Sequence, residues 1–167
     1  MADIDADGLS EIVTLLMDED GRSDGADASC MPAVFEVSKS GALSLESVSE
    51  DRIWCHSHAP ALADLDADGV VEVILGDTVY DGRDLALLWE GGQGAAWYNA
   101  WTVGLEGYWN SGYHAFAYDM DGDGLNMEVV AGRTVYNSDG STYCTLGNGS
   151  SDALDGYPAV ADLVGND

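Results

Sequence analysis

Basic residues are nearly absent from this chain: 5 Lys and Arg stand against 31 Asp and Glu, a formal charge of −26. A nucleic-acid backbone needs cationic side chains to displace its counterions, so the balance argues against a nucleic-acid partner. Attraction to an anionic membrane surface fails for the same reason. Cysteine is also scarce. Cys30, Cys55 and Cys144 are odd in number and show no zinc spacing, so neither a disulfide framework nor a zinc centre is expected. A Cys30–Cys55 pair depends on whether the fold brings the two together. No apolar run is long enough to span a bilayer, which argues against membrane insertion of this segment. No signal peptide stands at Met1, and no stretch has a convincing amphipathic helical period. No Ser/His/Asp or Cys/His order marks a catalytic constellation, so no catalytic residue is assigned and an enzyme is not expected.

What the chain does have is one acidic phrase, repeated. It reads DIDADGLSE from Asp3, DLDADGVVE from Asp64 and DMDGDGLNME from Asp119, and a degraded start, DLVGND, follows from Asp162. Oxygen ligands on alternate residues followed by glycine are the makings of a calcium loop. Recurrence makes the phrase a statement about architecture as well. In the second copy, APALADL leads into the loop, VEVILG follows it, TVY runs to an Asp81-Gly82 turn signal, and LALLWEG closes the unit. The third copy repeats the plan with HAFAYDM, MEVVAG, TVYNSDG and STYCTLG. The first copy begins almost on its loop and lacks a lead-in strand; EIVTLLM and PAVFEV fill later strand positions.

Units of about 40–50 residues with four short strands each read as β-propeller blades. The expected fold is therefore all-β: a partial propeller of about three blades, each of four antiparallel strands. Residues 1–50 form a blade without its first strand, 57–92 and 113–150 form full blades, 93–112 form an aromatic, Gly-rich insert, and 153–167 start the next blade. About three blades cannot close a ring that normally needs 4–8, so a segment of a longer chain, or self-association, is expected.

The phrases ALADLDADGVVEVILGDTVYDG and AFAYDMDGDGLNMEVVAGRTVYNSDG resemble the FG-GAP or VCBS repeat family, the integrin-α-type propeller repeats with DxDxDG calcium loops. The resemblance implies a bacterial-type surface protein with a non-enzymatic role in adhesion, whose partner is an extracellular protein or glycan. Some polysaccharide lyases, such as rhamnogalacturonan lyases, look similar in their calcium-loop blades, which keeps an enzyme scaffold as the alternative.

In the second loop Asp64, Asp66 and Asp68 hold positions 1, 3 and 5, Val70 offers its position-7 carbonyl, and Glu72 at position 9 closes the shell. The first loop matches with Asp3, Asp5, Asp7, Leu9 and Glu11. The third has Asp119, Asp121, Asp123 and Leu125, but position 9 is Met127 and Glu128 comes one residue late, so a bulge near Asn126 is needed to restore that ligand. An EF-hand is rejected, because position 12 is Leu75 and the flanks are strand-like. Hard oxygen donors without Cys or His favour Ca2+ over zinc, bound structurally, since clustered carboxylates repel one another without a cation. Two sites are complete and a third is shifted; Asp162 and Asn166 flank Val164, and no metal is expected there. Open calcium loops suit millimolar extracellular calcium, hence a secreted or cell-surface location.

The insert carries Trp97, Tyr98, Trp101, Trp109 and Tyr113, read as cover between blades, with sugar stacking or partner binding as the functional alternative. His56, His58 and His114 are read as structural, and Trp54 and Trp89 as packing.

Overall fold

The computed structural model describes residues 2–17, 29–54, 59–91, 114–145 and 159–161. Among these residues the chain is all-β, with no helix and no closed barrel. The insert at 93–112, His56, His58, Cys55 and the degraded fourth start at Asp162 lie outside them.

Three antiparallel sheets follow one another along the chain. The first holds β1 (Ser10–Met17), β2 (Ser29–Val37) and β3 (Leu43–Val48), with β4 (Ile53–Trp54) pairing the start of β2. The second is a simple meander of β5 (Ala61–Ala63), β6 (Glu72–Leu75), β7 (Thr78–Tyr80) and β8 (Leu87–Glu90). The third repeats it with β9 (Ala115–Tyr118), β10 (Glu128–Ala131), β11 (Thr134–Tyr136) and β12 (Thr142–Thr145). The strands expected around the second and third loops are all present. In the first unit a single bridge, Ala2 to Glu11, stands where the other units have a lead-in strand.

The sheets pack in series. Ile4, Val34, Val73, Leu75, Tyr80 and Leu85 form the core between the first and second sheets. Leu65, Ile74, Val79, Ala115, Val129, Ala131 and Tyr136 form the core between the second and third. Successive residues of a strand point to opposite faces, so Val73 and Leu75 serve one core while Ile74 serves the other. This explains why Glu-Val-Ile-Leu in β6 is buried throughout and does not alternate with polar residues. Trp89, from β8, crosses to the third sheet: its indole N–H donates to the Ser138 carbonyl at 2.8 Å and its ring lies 5.6 Å from that of Tyr136. The expected packing role of Trp89 is thus met; the Trp54 side chain lies outside the described residues.

One local expectation is corrected. The turn between β7 and β8 is not a tight Asp81-Gly82 hairpin. It runs from Asp81 to Ala86, closed by the Asp81 N–H on the Ala86 carbonyl at 2.9 Å, and Leu85 carries the left-handed backbone, with φ 58°. Gly82 is needed for space. A β-carbon there would sit 2.1 Å from the Val71 carbonyl oxygen and 3.1 Å from that of Ile4. Sequence cannot separate a glycine kept for its torsions from one kept for a close approach. Asp81 is held below the usual carboxylate range mainly by the side-chain bond from Arg83. Cys30 is disulfide-bonded and Cys144 is a free thiol.

Candidate metal centre

Each acidic loop joins a lead-in segment, a strand in the second and third units and the single Ala2 bridge in the first, to the next strand of its sheet, and the pairing register fixes its ends. The residue before the first Asp pairs with the closing Glu in every copy: Ala2 with Glu11, Ala63 with Glu72, and Tyr118 with Glu128. The third loop therefore holds its extra residue between the same anchors. Glu128 keeps its place in the ladder, and the adjustment falls on the loop, where Asn126 N–H joins Leu125 N–H on the Asp123 carboxylate.

The loops share one pattern of internal bonds. The Asp at position 1 accepts from the N–H of the position-6 glycine: Asp3 from Gly8 at 3.0 Å, Asp64 from Gly69 at 3.1 Å, Asp119 from Gly124 at 3.0 Å. The Asp at position 3 accepts from the N–H of position 5, at 3.1–3.2 Å for Asp5, Asp66 and Asp121. The Asp at position 5 accepts from the N–H of Leu9, Val70 or Leu125 at 2.7–2.8 Å. These short side-chain bonds replace ladder pairing and wind the backbone inward. Position 6 requires positive φ, 91° at Gly8 and 90° at Gly69.

Position 4 also lies in the left-handed region, a feature the spacing of acids does not reveal. It is Ala6 at φ 64°, Ala67 at 60° and Gly122 at 73°. A β-carbon is disfavoured there by about 1–2 kcal/mol, partly offset by the chain entropy that glycine loses on folding. Ala67→Gly is expected to stabilise the protein by up to about 1 kcal/mol in a denaturant melt. A loss of stability would show that the loop tolerates alanine without strain.

The closing glutamates are buried. Glu11, Glu72 and Glu128 are 1%, 5% and 4% exposed. One oxygen of each accepts the N–H of the residue after the first Asp, Ile4, Leu65 or Met120, at 2.7 Å in all three. The other oxygen of Glu11 is buried without a hydrogen-bond partner. Carboxylate oxygens of Asp3, Asp5 and Glu11 lie within 4.8 Å of one another, as do those of Asp64, Asp66 and Glu72. In the third loop the group so brought together is Asp119, Asp121 and Asp123, without Glu128. Asp7 and Asp68 stand outside the first two groups and serve the loop backbone instead.

Glu46 was not singled out from the sequence. The register of β2 with β3 slips so that Val34 faces Ser47 and Phe35 faces Leu45, leaving Glu46 as the extra residue of a bulge. Its side chain is exposed at the surface beside Asp5, and its carboxyl is pushed up by local desolvation first, then by the charges of Asp5 and Glu11. No sequence spacing links residues so far apart; the folding of β3 onto β2 brings them near.

Burial also raises Glu72, to about 7, with Asp66, Asp68 and Asp64 adding to the shift and the Leu65 N–H opposing it. Glu11 is raised in the same way, by burial and then, against the Ile4 N–H, by Asp5, Asp3 and Asp7. Without metal, the folded chain holds the Glu72 proton between its ordinary value of 4.5 and about 7, where the unfolded chain has released it. Stability of the chelated protein should therefore be full below the lower value and fall as pH rises through that window. Thermal melts in chelator across the window test this, and a flat profile would contradict it.

The donor sets fit a hard divalent cation: oxygen ligands only, converging from one tight loop, with a buried Glu11 oxygen that no protein group satisfies. Such an ion would neutralise the carboxylates whose repulsion and desolvation otherwise oppose folding.

A second set of contacts joins the loops to one another. The Ile4 carbonyl accepts the N–H of Val71 at 3.1 Å, and the Leu65 carbonyl accepts the N–H of Met127 at 2.9 Å. Val71 and Met127 each precede the closing glutamate of their own loop.

The fold and the loops together define a class: an all-β repeat chain whose successive sheets each carry an acidic loop able to hold a metal ion. No protein-family model matches the chain, and no curated protein matches it by sequence. Among solved structures it is similar to the V. cholerae biofilm matrix protein Bap1, with a TM-score of 0.52 and 24% identity. That likeness covers 86% of this chain but 19% of Bap1, so the chain spans about a fifth of that protein's length. Among the described residues, no helix is long and apolar enough to cross a membrane.

Proposed function

We propose that this chain is a calcium-stabilised β-propeller repeat segment of the FG-GAP or VCBS kind, belonging to a secreted or cell-surface protein that works by adhesion to an extracellular protein or glycan. The observation that carries the metal reading is the buried, unpartnered oxygen of Glu11 beside Asp3 and Asp5. Calcium is the ion of choice because the donors are all hard oxygens on a flexible loop, and magnesium prefers to retain more of its waters. Blade-like stacking is supported by two successive meanders whose lead-in segments meet in a parallel bridge between Ala59 and His114. The extracellular reading draws support from the biofilm-matrix name of the structural neighbour.

Met120 occupies the place that Ile4 and Leu65 hold in the other loops. It is 38% exposed where they are 0% and 2%. A further blade packed against the third sheet would cover it.

Asp66→Ala is the direct test. Calcium titration of the parent chain is expected to show about three ions bound, and the variant about one fewer. Unchanged stoichiometry would remove the second loop from the metal assignment. Turnover of a pectic or other polysaccharide with calcium present would replace the adhesion role by that of an enzyme scaffold.

A further inference from the structure

We infer that calcium binding at the three loops is positively coupled, through a main-chain relay that runs from one closing glutamate to the next. The inference rests on the calcium reading above and adds the regulation of those sites.

The relay can be followed atom by atom. Glu11 accepts the Ile4 N–H at 2.7 Å; the carbonyl of Ile4 accepts the Val71 N–H at 3.1 Å; Val71 leads directly into Glu72. Glu72 accepts the Leu65 N–H at 2.7 Å; the carbonyl of Leu65 accepts the Met127 N–H at 2.9 Å; Met127 leads directly into Glu128, which accepts the Met120 N–H at 2.7 Å. Ile4 and Leu65 are 0% and 2% exposed, so water cannot readily take over their part of the relay.

A cation that fixes Glu11 and the aspartates of the first loop also fixes Ile4, which presents its carbonyl to the second loop one residue before Glu72. The second loop then orders its backbone at reduced entropic cost and binds its own ion more tightly. From the second loop the relay reaches the third group through Met120, which bonds Glu128 and follows Asp119, since Glu128 itself stands outside that group. The unpartnered Glu11 oxygen marks the first loop as the one whose protein contacts are least complete without an ion.

Charge alone predicts the opposite sign. Each bound ion reduces the net charge of −26 that attracts the next, so unconnected loops would bind with falling affinity. Rising affinity therefore separates the relay from simple electrostatics.

The test is isothermal titration of the chelated chain with calcium alone. The intact chain is expected to give an isotherm steeper than independent sites allow. Asp66→Asn, which disables the middle loop, is expected to weaken calcium at both remaining loops by at least about fivefold, the lower end of ordinary coupling. Asp121→Asn, at an end loop, leaves the Ile4–Val71 link in place and should weaken the first loop less than Asp66→Asn does. A sharper variant replaces the Met127 amide by an ester, removing the N–H given to Leu65 while leaving every carboxylate and the position-7 carbonyls of Leu9, Val70 and Leu125 in place. Loss of steepness with unchanged stoichiometry supports the relay, and that variant still decides the matter if Asp66→Asn fails to fold. Remaining sites that keep their parent affinities in Asp66→Asn, or an unchanged isotherm in the ester, overturn the coupling and leave the calcium reading intact. No calcium uptake by the parent chain overturns both.

Discussion

Removing calcium with a chelator is expected to lower the melting temperature by about 15–30 °C, and added calcium to restore it. The size follows from linkage. An ion present at a hundred times its dissociation constant contributes about 2.7 kcal/mol per site. Among the described residues the acidic groups are three in number, so their combined stabilisation approaches about 8 kcal/mol, and each kcal/mol moves the midpoint of a chain this size by about 2–4 °C. The physical source is plain in the site. Each loop gathers carboxylates within 4.8 Å, and each unit buries its closing glutamate to 5% exposure or less. Without a cation, those groups must take up protons or repel. A midpoint unmoved by chelator would reduce the loops to solvated acidic turns.

Gly82→Ala is expected to be the most damaging glycine-to-alanine change among the described residues, costing about 3 kcal/mol or more. A β-carbon at residue 82 falls 2.1 Å from the Val71 carbonyl oxygen, and that neighbour is backbone, with no rotamer to change. The turn must lift away from the place where Val71 meets Ile4, so the joint between the first and second sheets opens with it. Gly69→Ala is the control. Its β-carbon meets nothing within 4 Å, but its φ of 90° disfavours a side chain. That variant should lose only the torsional cost, about 1–2 kcal/mol. Denaturant melts of the two variants, both saturated with calcium, compare close approach with backbone torsion. Equal losses would show that the turn yields easily and that the steric argument fails.

The strands and the loops were legible in the sequence for one reason: the acidic phrase recurs with its flanks. VEVIL and MEVVA announce β6 and β10 by composition, and the equal steps from Glu72 to Gly76 and from Glu128 to Gly132 locate the extra residue of the third loop before Glu128. The structure keeps Glu128 in register yet leaves it out of the third carboxylate group, because pairing with Tyr118 and contact with neighbouring oxygens are separate conditions. Three features were not legible. Glu46 lies near Asp5 through strand pairing and carries a bulge, and both depend on contacts between segments far apart in sequence. The turn after Tyr80 differs from the expectation because Asp-Gly signals a tight hairpin locally, while Gly82 answers to the backbone oxygens of Val71 and Ile4. The strain at Ala6 and Ala67 was hidden because alanine is not a residue that advertises positive φ.

The bonds between successive loops have a consequence for how such a chain can change over time. Both partners in each, the carbonyl of Ile4 or Leu65 and the N–H of Val71 or Met127, belong to the main chain. Most substitutions leave them untouched, so side chains around the joint are free to drift so long as proline stays away from the donor and the fit is kept. A unit duplicated at the level of the gene would arrive with both halves of the joint already made. A joint made of main-chain atoms can keep its shape while side chains differ, and the likeness found here is one of fold, with 24% identity over 86% of the chain.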